Sequence, residues 1–184
     1  TRIGGRLSGP QKKARLFRNA ISKSLDSNNR NLRIWSDVHL EQDLGNMRRE
    51  FPDEFGKPGA TLFQTRSELR NGIRSGMLDS ILDAAHCRLP LTHIWQKYGV
   101  YTFVMSLPGH GIDCHRTWEA LYIGCIPIVI SSSINELYED LPILVINDWN
   151  EINKEFLEQQ YIEIMNKNKN NEYNINKLYL QYWM

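Results

Sequence analysis

The chain has 184 residues, 41% of them hydrophobic and 23% charged, ordinary values for one soluble globular domain large enough to bury a core. A formal net charge of +1 excludes a global field that would draw in nucleic acid or an anionic membrane. Three cysteines, Cys87, Cys114 and Cys125, at wide spacing argue against a disulfide framework, and no apolar run approaches the ~20 residues of a membrane span. There is no Asn-x-Ser/Thr acceptor site and no signal-peptide start, and Thr1 fits a processed chain or an excised domain.

In chain order, Ile3 to Leu7 is predicted as a short strand entering a Gly-rich turn. Pro10 opens a helix with Leu16, Ala20, Ile21 and Leu25 on one face, and Leu32 to Trp35 is a second strand. This strand, helix, strand alternation is the mark of a parallel α/β unit. Residues 37 to 59 are irregular, Ser67 to Ala85 is expected to be helical despite Gly72 and Gly76, and Pro90 starts a short helix. Residues 37–90 together are expected to form an insert of irregular and helical character.

From residue 101 the alternation is clear. Tyr101 to Ser106 is a strand, Leu107 to Ile112 a loop, Asp113 to Gly124 a helix and Ile126 to Ile130 a strand. Ile134 to Tyr138 fits one helical turn, Leu141 to Ile146 a buried strand, and Glu151 to Asn166 a helix. A last helix over Ile175 to Met184 makes residues 172–184 an aromatic-rich end. The fold class expected is α/β: a Rossmann-like parallel sheet flanked by helices, in a single domain over residues 1–184.

In open α/β sheets ligands bind beyond the carboxyl ends of the strands, and the loop and helix start from Pro108 to Glu119 occupy such a place. Gly109 and Gly111 allow backbone N–H groups to approach a phosphate. Asp113 is expected to cap the helix, whose free N–H groups and positive dipole end favour an anion. Arg116 brings a fork suited to phosphate oxygens. A helical stripe of Trp118, Leu121, Tyr122 and Cys125 is expected to face the sheet, which leaves Arg116 and Glu119 together on another face. One offers a cation and the other a carboxylate for two hydroxyls, as a diphosphate joined to a ribose requires. On that orientation Arg116→Ala and Glu119→Ala spare the fold, and Trp118→Ala costs ~3–5 kcal/mol. Taken alone, such an Arg and Glu are usually a solvated surface pair; their meeting with the two-glycine loop at one junction favours a site.

His110, Asp113, Cys114 and His115 are metal-ligand residue types, but no partner cluster supplies further ligands at zinc-like spacing, so no metal is expected. Cys114 at a helix start could serve as a nucleophile, yet no accompanying Cys–His–Asn order is visible. His110 and His115 fit better as phosphate or sugar contacts.

The run Phe103-Val-Met-Ser-Leu-Pro-Gly109, then Arg116-Thr-Trp-Glu-Ala120, then Gly124-Cys-Ile-Pro-Ile-Val129 resembles the donor-binding region of exostosin-like glycosyltransferases, glycosyltransferase family 47. The resemblance is specific over residues 101 to 130 and continues more loosely through Leu141 to Trp149. It implies the carboxyl-terminal, donor-binding half of a GT-B fold, acting without a metal or other cofactor on a nucleoside-diphosphate sugar. By position, Arg116 would meet the diphosphate, Glu119 the ribose, and the loop Gly109-His110-Gly111 would pass over the phosphates. Ser106, Asp113 and His115 complete that site, and Arg6 and Arg15 look like phosphate-side basic residues.

The partners implied are the nucleotide-sugar donor, a glycan or other hydroxyl acceptor, and an amino-terminal GT-B domain or other partner packing on the carboxyl-terminal helix, whose Tyr173, Tyr179, Tyr182 and Trp183 either mark that interface or complete the local core. Since the catalytic base is often found in that other domain, no catalytic residue is assigned. Two rivals stand beside transfer: a nucleotide-binding module without catalysis, and an epimerase or phosphatase on the same fold. A Golgi lumen is implied by relatives, while the missing sequons and odd cysteine count lean toward the cytoplasm.

Overall fold

The computed structural model describes residues 30–38, 71–73, 75, 76, 78–85, 87, 89–108, 112–179 and 182. The expected first strand and helix, with Arg6 and Arg15, lie outside the described residues, as do the loop Gly109-His110-Gly111, most of the 37–59 segment and Trp183.

Among the described residues five short segments form strands, β1 (Asn31–Ser36), β2 (Leu82–Ala84), β3 (Tyr101–Met105), β4 (Ile126–Ile130) and β5 (Leu144–Ile146), the last three of them almost wholly apolar. All neighbours are parallel, in the order β2-β1-β3-β4-β5. The helices are α1 (Leu91–Val100), α2 (His115–Ile123), α3 (Asn135–Tyr138) and α4 (Lys154–Lys169). This is the expected α/β, Rossmann-like arrangement.

Alternation along the strands sorts two cores. Ile34, Phe103, Met105, Ile128 and Ile146 face Trp149, Ile152, Leu157 and Ile164 on one side of the sheet. Trp35 and Val104 face Trp95 and Tyr98 of α1 and Ala120 and Ile123 of α2 on the other. Phe103, Val104 and Met105 are fully enclosed, as a central strand of a doubly covered parallel sheet must be. No helix among the described residues is long and apolar enough to cross a membrane.

The chain leaves β1 toward one edge of the sheet and later builds β3 and β4 toward the other. The direction therefore reverses between β1 and β3, the topological switch point where such sheets open a crevice. Arg30 braces the opposite end. Its guanidinium donates to Tyr98 O at 3.2 Å, Tyr101 O at 3.3 Å and Ile123 O at 2.6 Å, tying the carboxyl ends of α1 and α2 together. A cation there also complements both helix dipoles. The nearby Cys125 thiol is pushed up to about 11 by burial, with Arg30 pulling the other way.

Four expectations need correction here. Ser67 to Ala85 is not one helix: a helical turn at 71–73 is followed by Gly76 at φ +74°, and the chain then enters β2. Leu82 pairs with Ile34, and Arg33 clasps the approach through Ser80 O, Asp79 O and the Asp83 carboxylate. The strand expected from Leu141 begins only at Leu144, because Pro142 has no N–H for a ladder and Ile143 N turns back to Leu141 O. Trp149–Glu151 forms a 3-10 turn, and α4 starts at Lys154, capped by the Asn153 side chain accepting from Phe156 N at 2.9 Å. Among the described tail residues the winding is 3-10, over Ile175–Leu178 and again at Tyr182, not α-helical, and residues 180, 181, 183 and 184 of the expected helix lie outside the described residues.

Candidate functional site at the β1/β3 switch point

Helix α2 begins one residue later than its sequence suggests. Cys114 is the N-cap, without a side-chain cap bond, and Asp113 instead accepts from Trp118 Nε1 at 2.8 Å. The helix ends on Gly124 at φ +80°, a left-handed cap that glycine adopts without a Cβ clash. Its buried residues are Thr117, Ala120, Leu121 and Ile123. Tyr122 is 42% exposed and donates to Leu178 O, and Trp118 is half-buried against Tyr138. Of the expected stripe Leu121 and Cys125 are buried, whereas Trp118 and Tyr122 are not, so the buried face is rotated toward Thr117 and Ala120. Ala120, at 0% exposure, packs in the second core with Trp35, Tyr98 and Val104, so α2 turns a small side chain toward the sheet.

The rotation carries Arg116 inward. Its Nε donates to both Asp37 carboxylate oxygens, at 3.1 and 3.2 Å, and its Nη1 reaches Cys114 Sγ at 3.4 Å. The side chains of this pair are only 14% and 7% exposed. Burial opposes the Arg116 charge, but the Asp37 carboxylate, helped by Tyr98 and Cys114, outweighs it and raises the guanidinium pKa. Arg116 thus lies at the core boundary, not off it as expected. Tyr98, the third member, donates its hydroxyl to Asp37 Oδ1 at 3.1 Å. Burial, and then the Asp37 charge, raise the Tyr98 pKa, which keeps that hydroxyl a donor.

Glu119 lies one turn along α2 and is pinned by a different neighbour. Trp95 Nε1 of α1 donates to its Oε2 at 2.9 Å, leaving Oε1 without a protein partner among the described residues. Arg116, Glu119 and His115 line one cavity of about 320 Å³ with Asp37, Tyr98, Cys87 and an aliphatic wall of Leu89, Leu91 and Ile94. The cavity lies past the carboxyl end of β1, between the start of α1 and the start of α2, the helix that follows β3. It offers a buried fixed cation, an oriented carboxylate and an apolar side, a set suited to a ligand with an anionic end and vicinal hydroxyls.

Of the residues singled out by sequence, His115, Arg116 and Glu119 meet in this cavity. Asp113 is exposed before the helix start, does not line the cavity and is engaged with Trp118. Ser106 is 2% exposed and does not line the cavity; its Oγ is bonded to Thr117 Oγ1 at 2.8 Å, tying β3 to α2. Thr117→Val keeps the shape but strands the Ser106 hydroxyl, so it is expected to cost about 1–3 kcal/mol in urea denaturation. Adding Ser106→Ala to that variant removes the stranded hydroxyl and should recover most of the loss.

Sequence reading missed Asp37, Tyr98 and Trp95. Asp37 directly follows the apolar run Leu32–Trp35 and Ser36, and an acidic residue at a strand's carboxyl end was the available signal. A larger cavity of about 430 Å³ lies between Gly72–Ile81 and the start of α4, lined by Trp149, Asn153 and Lys154 among others. It gathers none of the residues that the sequence singled out and lies away from the switch point. Among the described residues no group of three or more His, Cys, Asp or Glu side chains could hold a metal ion.

The chain matches no protein-family model, and no curated protein matches it.

Proposed function

We propose that this chain is the donor-binding domain of a glycosyltransferase that moves a sugar from a nucleoside diphosphate to a hydroxyl acceptor. The observation that carries the reading is the meeting of Arg116 and Glu119 in one cavity at the switch point. The resemblance of residues 101 to 130 to exostosin-like transferases supports it independently, since the same two residues stand at its donor positions. In this reading the α2 amino terminus, His115 and Arg116 face the diphosphate, and the free Oε1 of Glu119 accepts from the ribose. The Arg116 charge and the helix start stabilise the diphosphate as it leaves, an electrostatic role that needs no proton transfer at this site. The aliphatic wall of Leu89, Leu91 and Ile94 offers surface to an apolar part of the donor.

A panel of UDP, GDP, ADP and CDP with their sugars, read by thermal shift and calorimetry, tests this. One nucleotide should stabilise the wild type by ~2.7 kcal/mol at a hundred times its Kd. Glu119→Gln should weaken that binding by roughly tenfold or more, since a hydrogen bond to a charged group is worth ~1.5–3 kcal/mol. Absence of any shift with every nucleotide contradicts the reading. Binding without turnover, when acceptor glycans and the full-length protein are supplied, favours a binding module; turnover without an acceptor favours an epimerase or phosphatase.

A further inference from the structure

We infer that Asp37 is a positioning residue for the donor diphosphate, acting through Arg116. The inference rests on the donor-site reading above. Asp37 stands just past β1, on the far side of the switch point from α2, and its carboxylate takes only the Nε edge of the Arg116 guanidinium. Cys114 Sγ receives Nη1, and Nη2 has no protein partner among the described residues. The guanidinium is thereby held at its inner Nε edge and at Nη1, and in this proposal its outer Nη2 corner meets the ligand in the cavity that Arg116 lines.

Asp37 is itself held. Tyr98, 1% exposed in α1, donates to its Oδ1, so three elements meet in one relay from Tyr98 through Asp37 to Arg116. An arginine side chain carries large rotamer entropy, and a fork fixed before the ligand arrives loses less on binding. The carboxylate also repels a phosphate, so two effects of opposite sign compete. Positioning wins in this geometry because Arg116 stays charged with or without Asp37, whereas its orientation depends on it.

The test measures Kd for the four nucleoside diphosphates by calorimetry on wild type, Asp37→Asn, Arg116→Lys and the double variant, with circular dichroism and melting to confirm folding. Lysine keeps the charge but cannot both pair at an inner edge and present an outer one. Asp37→Asn should raise the Kd by roughly tenfold, within the range expected for residues in one network. In the Arg116→Lys background the same change should leave the Kd where it is, which a general loss of structure would not do. Tyr98→Phe, which frees one end of the carboxylate, should raise the Kd by a smaller factor, and it carries the test alone should Asp37→Asn not fold. A Kd that is unchanged or lowered in Asp37→Asn, or raised equally in both backgrounds, overturns the inference while the donor site stands. Binding of no nucleotide to wild type defeats the donor site and this inference together.

Discussion

Arg116→Met is expected to destabilise the domain by about 3–5 kcal/mol, the usual cost of removing one member of a buried ion pair. The reason lies in what remains. Asp37 keeps a side chain only 7% exposed, with the Tyr98 hydroxyl as its remaining hydrogen-bond donor in place of a guanidinium bonded to both oxygens. Methionine fills much of the arginine stem's volume, so the loss reports charge and hydrogen bonding rather than a void. Urea denaturation followed by circular dichroism measures it. The double variant Arg116→Met/Asp37→Leu should recover much of the stability, because two apolar side chains replace a desolvated pair at little cost. The recovered double variant should still fail to bind a nucleoside diphosphate in calorimetry. That separates the structural role of the pair from its role toward the ligand. A single variant that folds as well as wild type would place Arg116 on the surface, contrary to the structure.

Trp95 carries the other large effect. It is 3% exposed against the sheet, and its indole is the donor that orients Glu119 at 2.9 Å. Trp95→Ala is expected to cost about 3–5 kcal/mol through lost burial and the cavity left behind. Trp95→Phe separates the two contributions. It retains most of the apolar area but removes the Nε1–H, so Glu119 loses its anchor while the core stays filled. Its stability cost should be about 1–2 kcal/mol, whereas nucleotide Kd should rise by roughly tenfold, the value of one charge-assisted hydrogen bond. Equal losses of stability in the phenylalanine and alanine variants would mean that the hydrogen bond, not packing, holds the α1–α2 contact.

The fold was legible where the chain repeats a simple physical pattern. The largely apolar runs at 101–106 and 126–130 each became a parallel strand, because a strand covered on both faces is mostly apolar, and Leu32 to Trp35 did so with Arg33 bonded to Asp83 of the neighbouring strand. Leu82–Ala84 was not legible: three residues show no period, and their strand state depends on pairing with Ile34 to Ser36. The helix that follows β3 lies where its sequence places it but is turned differently about its axis. Leu121 lies on the buried face as its spacing implies, but Thr117, Ala120 and Ile123 complete that face in place of Trp118 and Tyr122. An arginine was likewise read as an outward residue, though its stem can lie against the core when its head meets a carboxylate. That carboxylate, Asp37, is 79 residues away in sequence, so nothing local announced the pair.

The central claim is that a nucleoside diphosphate binds at the switch point beside Glu119. The chain has five tryptophans, and the Trp95 indole N–H is bonded to that carboxylate while the Trp149 indole lines the other cavity. A titration with the tightest-binding nucleoside diphosphate, followed through the indole N–H resonances of nitrogen-15-labelled protein, therefore reports where the ligand sits. The Trp95 resonance should shift saturably with the calorimetric Kd, and the Trp149 resonance should hold still. A nucleotide that binds and moves Trp149 but leaves Trp95 unmoved would contradict the account and transfer the site to the larger cavity.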